Sequence, residues 1–148
     1  MTQAYGPEAR GGASSANIVI SDEPIDFPFV QQLDVLVALS QEAYTRFRES
    51  TKQDAFVLVD EDLVKPKPGD DVLKIPATRL AEELGKRIVA NVVMVGFFTG
   101  MTGLVSQQAV EKAICTSVKP NTVDLNINAF QMGFRFVNIH EEPVNVSV

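Results

Sequence analysis

From Ile88 to Val110 the chain carries no charged residue. A run of this length has two solutions. It crosses a bilayer, which takes about 20 apolar residues, or it is buried inside a protein. Asn91, Thr99, Thr102, Ser106, Gln107 and Gln108 interrupt the run, and Gly96, Gly100 and Gly103 punctuate it. Thr102-Gly103 reads as a helix stop, and Ser106 as the cap of the next helix. Two buried helices joined by a short turn therefore account for the segment, and no membrane span is expected.

Two buried helices need a body to be buried in. With 148 residues the chain is expected to form one domain, spanning 1–148, with a sizeable core. The formal net charge is −6. Nucleic acid and anionic membrane surfaces call for a basic face, so neither is an expected partner. The single cysteine, Cys115, excludes an internal disulfide, and by itself it provides neither an iron–sulfur cluster nor a structural zinc site. A reducing, cytoplasmic setting fits. No basic stretch followed by an apolar run marks a signal peptide.

Upstream of the apolar run the pattern alternates strand and helix. Over Ala13 to Ser21, Ala16, Ile18 and Ile20 share one face, while Ser15, Asn17 and Ser21 share the other, so a strand with one apolar face is expected. Leu33 to Leu39 is apolar apart from Asp34 and reads as a central strand covered on both faces. Ser40 caps a helix over 41–49. Phe56 to Val59 and Val72 to Ile75 read as further strands, the latter ended by Pro76. Between them a loop carries Lys65-Pro66-Lys67-Pro68-Gly69. Thr78 is expected to cap a helix running to Leu84. Ile88 to Met101, Ser106 to Thr116 and the stretch opened by Pro120-Asn121 complete a helical second half. In the last, Leu125, Ala129, Met132 and Phe136 fall at helical spacing. The expected fold is a three-layer, Rossmann-like α/β domain with a mixed, mostly parallel sheet and a helical C-terminal half. The chain itself is expected to begin inside a loop.

One block looks built for a ligand or a partner. Tyr5-Gly6-Pro7-Glu8-Ala9-Arg10-Gly11-Gly12 joins a Gly-Pro turn, an acid, a guanidinium and a Gly pair just before a strand. Read as YGPEARGG, it resembles the signature of the gamma subunit of 2-oxoacid:ferredoxin oxidoreductases. The resemblance continues through ISDEPID, DVLVALSQEAY, IPATRLAEELG, ANVVMVGFFTGMTGLVS and NINAFQMGF, so it covers most of the chain in order. Within the family YGPEARGG is most similar to 2-oxoglutarate-type gamma subunits, with pyruvate- and 2-oxoisovalerate-type subunits as alternatives. The family's opening strand and G-x-G-G-Q-G loop are not present, so the domain reads as N-terminally incomplete.

The resemblance implies oxidative decarboxylation of a 2-oxoacid with coenzyme A to an acyl-CoA, with electrons passed to ferredoxin. It implies that thiamine diphosphate, Mg and iron–sulfur clusters reside on partner alpha, beta and ferredoxin-like delta subunits, and that this chain has no catalytic residue or metal site of its own. A homodimer is the expected form in isolation. A stand-alone nucleotide or acyl-CoA binding module is the rival reading.

Coenzyme A brings phosphates, which call for cations or backbone amides. Arg10 with the Gly11 and Gly12 amides is the first candidate. Ser40 and Gln41, at the carboxyl end of a strand, are the second. Lys65 and Lys67 form a weaker third, as loop cations. Structural alternatives stand beside each. Arg10 and the Gly pair also suit a strand-entry turn sealed by an Arg10–Glu8 or interdomain salt bridge. Ser40 suits a helix cap, and the two lysines a solvated loop. Cys115 is expected in the core and His140 on the surface. Asp22-Glu23 and Asp60-Glu61-Asp62 are expected as exposed turn acids. Phe97, Phe98, Phe130, Phe134 and Phe136 are expected in the core or at a subunit interface.

Overall fold

The computed structural model describes residues 2–5, 14–21, 24, 30 and 32–140. The expected α/β architecture is present. Strands β3 (Leu33–Ala38), β4 (Thr51–Asp60) and β5 (Leu73–Ile75) form a sheet in the order β3-β4-β5, and both pairings are parallel. Helix α1 (Gln41–Phe47) lies between β3 and β4. The second half holds α2 (Ala77–Glu83), α3 (Ala90–Thr102), α4 (Gln107–Ser117) and α5 (Val123–His140).

Strand β4 explains the layering. Its side chains alternate between two cores, as strand geometry requires. Val57 and Val59 pack with Leu36, Ala38, Tyr44 and Val64 on the α1 side. Leu58 packs with Ile75, Ala81, Val93, Phe97 and Val137 on the side of α2, α3 and α5. Both faces of β4 are thus covered, which is why Val57 to Asp60 is buried without a break.

The strand expected at the centre lies at an edge of the sheet that the described residues form. Among the described residues β3 has β4 as its only neighbour. Val37 is 40% exposed, although its register partner Leu58 is fully buried. An apolar run of this length looks alike in a central strand and in an edge strand that keeps one covered face. The first strand also differs. Instead of 13–21 it is β2, Ser14–Asn17, and it pairs antiparallel with β1, Thr2–Tyr5, in a region expected to be a loop. The apolar positions face outward: Ala16 is exposed, and Ile18 and Ile20, just past the strand, are 63% and 65% exposed, while Ser15 and Asn17 are half-buried. A two-stranded ribbon has too little surface to bury a face of its own.

The uncharged run does form two helices. Gly103 ends α3 at φ 62°, a left-handed conformation that suits glycine at a helix stop, and its N–H reaches Thr99 O at 3.1 Å. Ser106 caps α4, its Oγ accepting from Ala109 N at 3.3 Å. The second helix is not buried, however. No residue of α4 is buried, and Cys115 is exposed rather than in the core. The described residues contain no helix long and apolar enough to cross a membrane.

The packing of α3 on α5 is set by glycine. A β-carbon on Gly96 would lie 2.0 Å from Phe130 O, and one on Gly133 would lie 1.9 Å from Val93 O. The two backbones therefore touch at these positions, and no other residue fits. Around this crossing Phe97 and Phe130 are buried, and Phe98, Phe134 and Phe136 are half-buried, as expected of a core. Phe97 meets Phe136 edge-on at 5.9 Å.

Candidate functional site

Because β3, β4 and β5 are parallel, their carboxyl ends lie at one end of the sheet, where open α/β sheets bind ligands. The connection from β4 to β5, residues 61–72, leaves this end and runs back along α1 to the start of β5. The expected loop is present with Lys65 and Lys67 exposed, and it is also fastened to α1 on one side and to α2 on the other.

On the α1 side, Gln41 Oε1 accepts from Lys65 N at 2.7 Å. The hydroxyl of buried Tyr44 donates to Asp70 and accepts from Lys67 N at 3.3 Å. Arg48 reaches Asp70 Oδ1 at 3.3 Å and Thr51 Oγ1 at 2.6 Å. Burial pushes the Tyr44 phenol above its ordinary range, and its bond to the Asp70 carboxylate adds to the effect. Tyr44 is therefore a neutral donor at neutral pH.

On the α2 side, Asp60 corrects an expectation. It is fully buried, not an exposed turn acid. Its Oδ1 accepts from Asp62 N at 3.0 Å, and its Oδ2 accepts from Thr78 N at 2.9 Å and from Thr78 Oγ1 at 2.6 Å. Thr78 is not the N-cap. Pro76 holds that position and offers no side-chain acceptor, so the cap comes from β4 through Asp60. Nearby, Arg79 bonds Glu61 and reaches Asp62 Oδ2 at 2.9 Å; the hydrogen bond to Asp62 foremost holds its guanidinium more basic than usual.

Arg10, Gly11 and Gly12 lie outside the described residues, as do Asp22, Glu23 and the side chain of His140. Ser40 and Gln41 are placed at the carboxyl end of β3. Ser40 is the N-cap of α1, accepting from Ala43 N at 3.1 Å, and its own O–H remains available to donate. Gln41 is exposed and holds the loop. Lys65 and Lys67 are exposed on that loop, with Lys67 Nζ 3.8 Å from Glu49. Ser40, Gln41 and Lys65 thus stand together on a rim at the carboxyl end of β3, while Lys67 lies farther along the loop, beside Tyr44 and Glu49. Tyr44, Arg48 and Asp70, which fasten it, carry no motif that singles them out in the sequence.

The rim offers hydroxyl, amide and ammonium donors, a set suited to anionic oxygens rather than to proton abstraction. The donor set does not suit metals. Among the described residues no group of three or more His, Cys, Asp or Glu could hold a metal ion. One exposed thiol on α4 is not the thiolate set that an iron–sulfur cluster requires.

Comparison with known proteins agrees with the fold and the sequence. A sequence model of the family described as "Pyruvate ferredoxin/flavodoxin oxidoreductase" matches residues 1–136. The chain is 51% identical over 138 residues to the 2-oxoglutarate synthase subunit KorC of Methanocaldococcus jannaschii, covering 90% of this chain and 74% of that protein. It is 36% identical over 137 residues to the ketoisovalerate oxidoreductase subunit VorA of Methanothermobacter marburgensis, covering 88% of this chain and 28% of that one. Among solved structures, the gamma subunit of a keto/oxoacid ferredoxin oxidoreductase from Geobacter sulfurreducens matches with a TM-score of 0.80 and 41% identity, covering 93% of this chain and 79% of that one.

Proposed function

This chain belongs to the pyruvate ferredoxin/flavodoxin oxidoreductase family, as an accessory gamma-type subunit, and we propose that it serves a complex acting on 2-oxoglutarate. The observation that carries this reading is the 51% identity to a 2-oxoglutarate synthase subunit, set against 36% to a ketoisovalerate relative. In the proposed complex, 2-oxoglutarate is oxidatively decarboxylated with coenzyme A to the acyl-CoA, and the electrons leave to ferredoxin. Thiamine diphosphate with Mg on partner alpha and beta subunits supplies carbanion stabilisation, and clusters on those and a ferredoxin-like delta subunit carry electrons. The work of this chain is to assemble and to bind.

Its own residues are proposed to receive the phosphates of coenzyme A. Arg10 is the cation, and the amides of Gly11 and Gly12 add donors that a side chain would obstruct. Ser40 and Gln41 form a second contact. The Ser40 hydroxyl uses a lone pair in the helix cap and keeps its proton for an anionic oxygen. The bond from Lys65 N to Gln41 supports this reading, since a rim held in place loses less entropy when a ligand arrives.

The test is a tagged purification of the native complex, followed by kinetics. Co-purifying thiamine- and cluster-bearing subunits, with turnover on 2-oxoglutarate above that on pyruvate, are expected. Absence of such partners overturns the assignment. Arg10→Ala is expected to raise the KM for coenzyme A in the assembled enzyme without unfolding the subunit. Unchanged kinetics would leave Arg10 a structural turn residue. Micromolar coenzyme A binding by the isolated chain would favour a stand-alone module.

A further inference from the structure

Helices α2 and α5 border a surface groove of about 500 Å³. Leu80 of α2 and Leu84 at its end form one wall, and Met132 and Phe136 of α5 form the other. Ile139, in the last turn of α5, lines the same groove and is still 73% exposed. The face thus carries a hollow and, beside it, a projecting apolar side chain. Leaving both in water is costly.

The groove is not wholly apolar, because Asn128 and Gln131 also line it. Gln131 Nε2 donates to Glu111 of α4 at 3.3 Å, and Asn128 is exposed. Amides beside an apolar strip suit a contact between separately folded molecules, which must also be soluble apart. A purely apolar ligand would leave them without partners.

Charge narrows the occupant further. Arg135 stands on the α5 side, where it donates to Gln131 Oε1 at 3.4 Å. Glu83 is exposed on α2, three residues after Leu80 and so its neighbour on the helix surface. Neither belongs to an ion pair among the described residues. One face therefore offers a hollow and a knob, a cation and an anion. A symmetric contact needs this combination, because in it each patch meets its own copy.

We propose that a second copy of this chain covers the groove. In the symmetric contact Ile139 of each copy packs on Leu80 and Leu84 of the other, and Arg135 of each pairs with Glu83 of the other. A two-fold axis along the groove produces both, since it lays α2 of one copy over α5 of its mate.

Sedimentation equilibrium of the full-length chain tests this. The parent is expected at twice the monomer mass at micromolar concentration. Arg135→Glu and Glu83→Arg each set like charges across the contact and should weaken it about tenfold or more. Both side chains are exposed, so the urea midpoints of the variants should stay near that of the parent. The two variants mixed should form a heterodimer as tight as the parent dimer, because every facing pair is again of opposite sign. A parent chain that stays monomeric into the submillimolar range overturns the proposal. So does a parent dimer that neither charge reversal weakens, or a mixture that associates no better than the single variants.

Discussion

The carboxylate of Asp60, at the end of β4, accepts both the backbone N–H and the hydroxyl of Thr78, in the first turn of α2. A third bond from Asp62 N leaves the buried acid bonded through both oxygens. One side chain thereby turns the chain out of the sheet, caps α2 and starts the loop that forms the rim of the site.

Removing that acid leaves buried donors without partners, which is among the costliest single changes. Asp60→Ala is expected to destabilise the chain by about 2–4 kcal/mol. Thr78→Val removes only one of the bonds and should cost about 1 kcal/mol. Urea midpoints of the two variants should rank in this order; equal midpoints would mean that Asp60 acts through something other than its hydrogen bonds.

The crossing of α3 and α5 makes a sharper prediction. Glycine to alanine in a helix interior ordinarily stabilises by up to about 1 kcal/mol. Here Gly96→Ala and Gly133→Ala would drive a methyl into the opposite backbone, and each should cost about 3 kcal/mol or more. Gly100→Ala meets the Val137 side chain at 2.8 Å and should be milder, because a side chain can move. Thermal unfolding of the three variants checks the order.

Tyr44 predicts a dependence on alkaline pH. Its folded-state pKa is raised above the ordinary 10.0, chiefly by burial. The native state therefore holds its proton where the unfolded chain has released it. The stability this contributes is complete below pH 10 and is lost as the pH rises above it. Tyr44→Phe should be less stable than the parent at pH 8, having lost its bonds to Asp70 and Lys67, and the gap should narrow by pH 11. Urea midpoints at the two pH values test this, and a constant gap would contradict it.

At the start of α1, Ser40→Ala is expected to cost about 1 kcal/mol and Ser40→Gly only a few tenths, since glycine is also tolerated at an N-cap. If Ser40 also touches coenzyme A, Ser40→Gly should raise its KM in the assembled enzyme while leaving the urea midpoint nearly unchanged. This separates the capping role from the binding role.

Much of the fold is legible in the sequence because it is written locally. Ser40, Ser106 and Gly103 announce helix ends by chemistry that acts within a turn. What escapes is decided by distant partners. The composition of Leu33–Ala38 does not say that it has a single neighbour among the described residues, and Asp60 looks like any turn acid until Thr78 comes beside it from α2. Helix α4 reads as buried because it opens within the uncharged run, yet none of its residues is buried among the described residues. At the candidate site, Ser40 and Gln41 are found by their place after a strand. Tyr44, Arg48 and Asp70 are not, because what joins them is a loop packed back onto a helix.

The glycine contact between α3 and α5 has a consequence for which substitutions this chain can accept. Gly96 and Gly133 each face the other helix's main chain, so a bulkier residue at either requires the whole opposing helix to shift first. No single substitution leads out of that arrangement, and a compensating one would have to precede it. In this chain the crossing of α3 and α5 is therefore the place least open to substitution, whereas α4, none of whose residues is buried among the described residues, tolerates it far better.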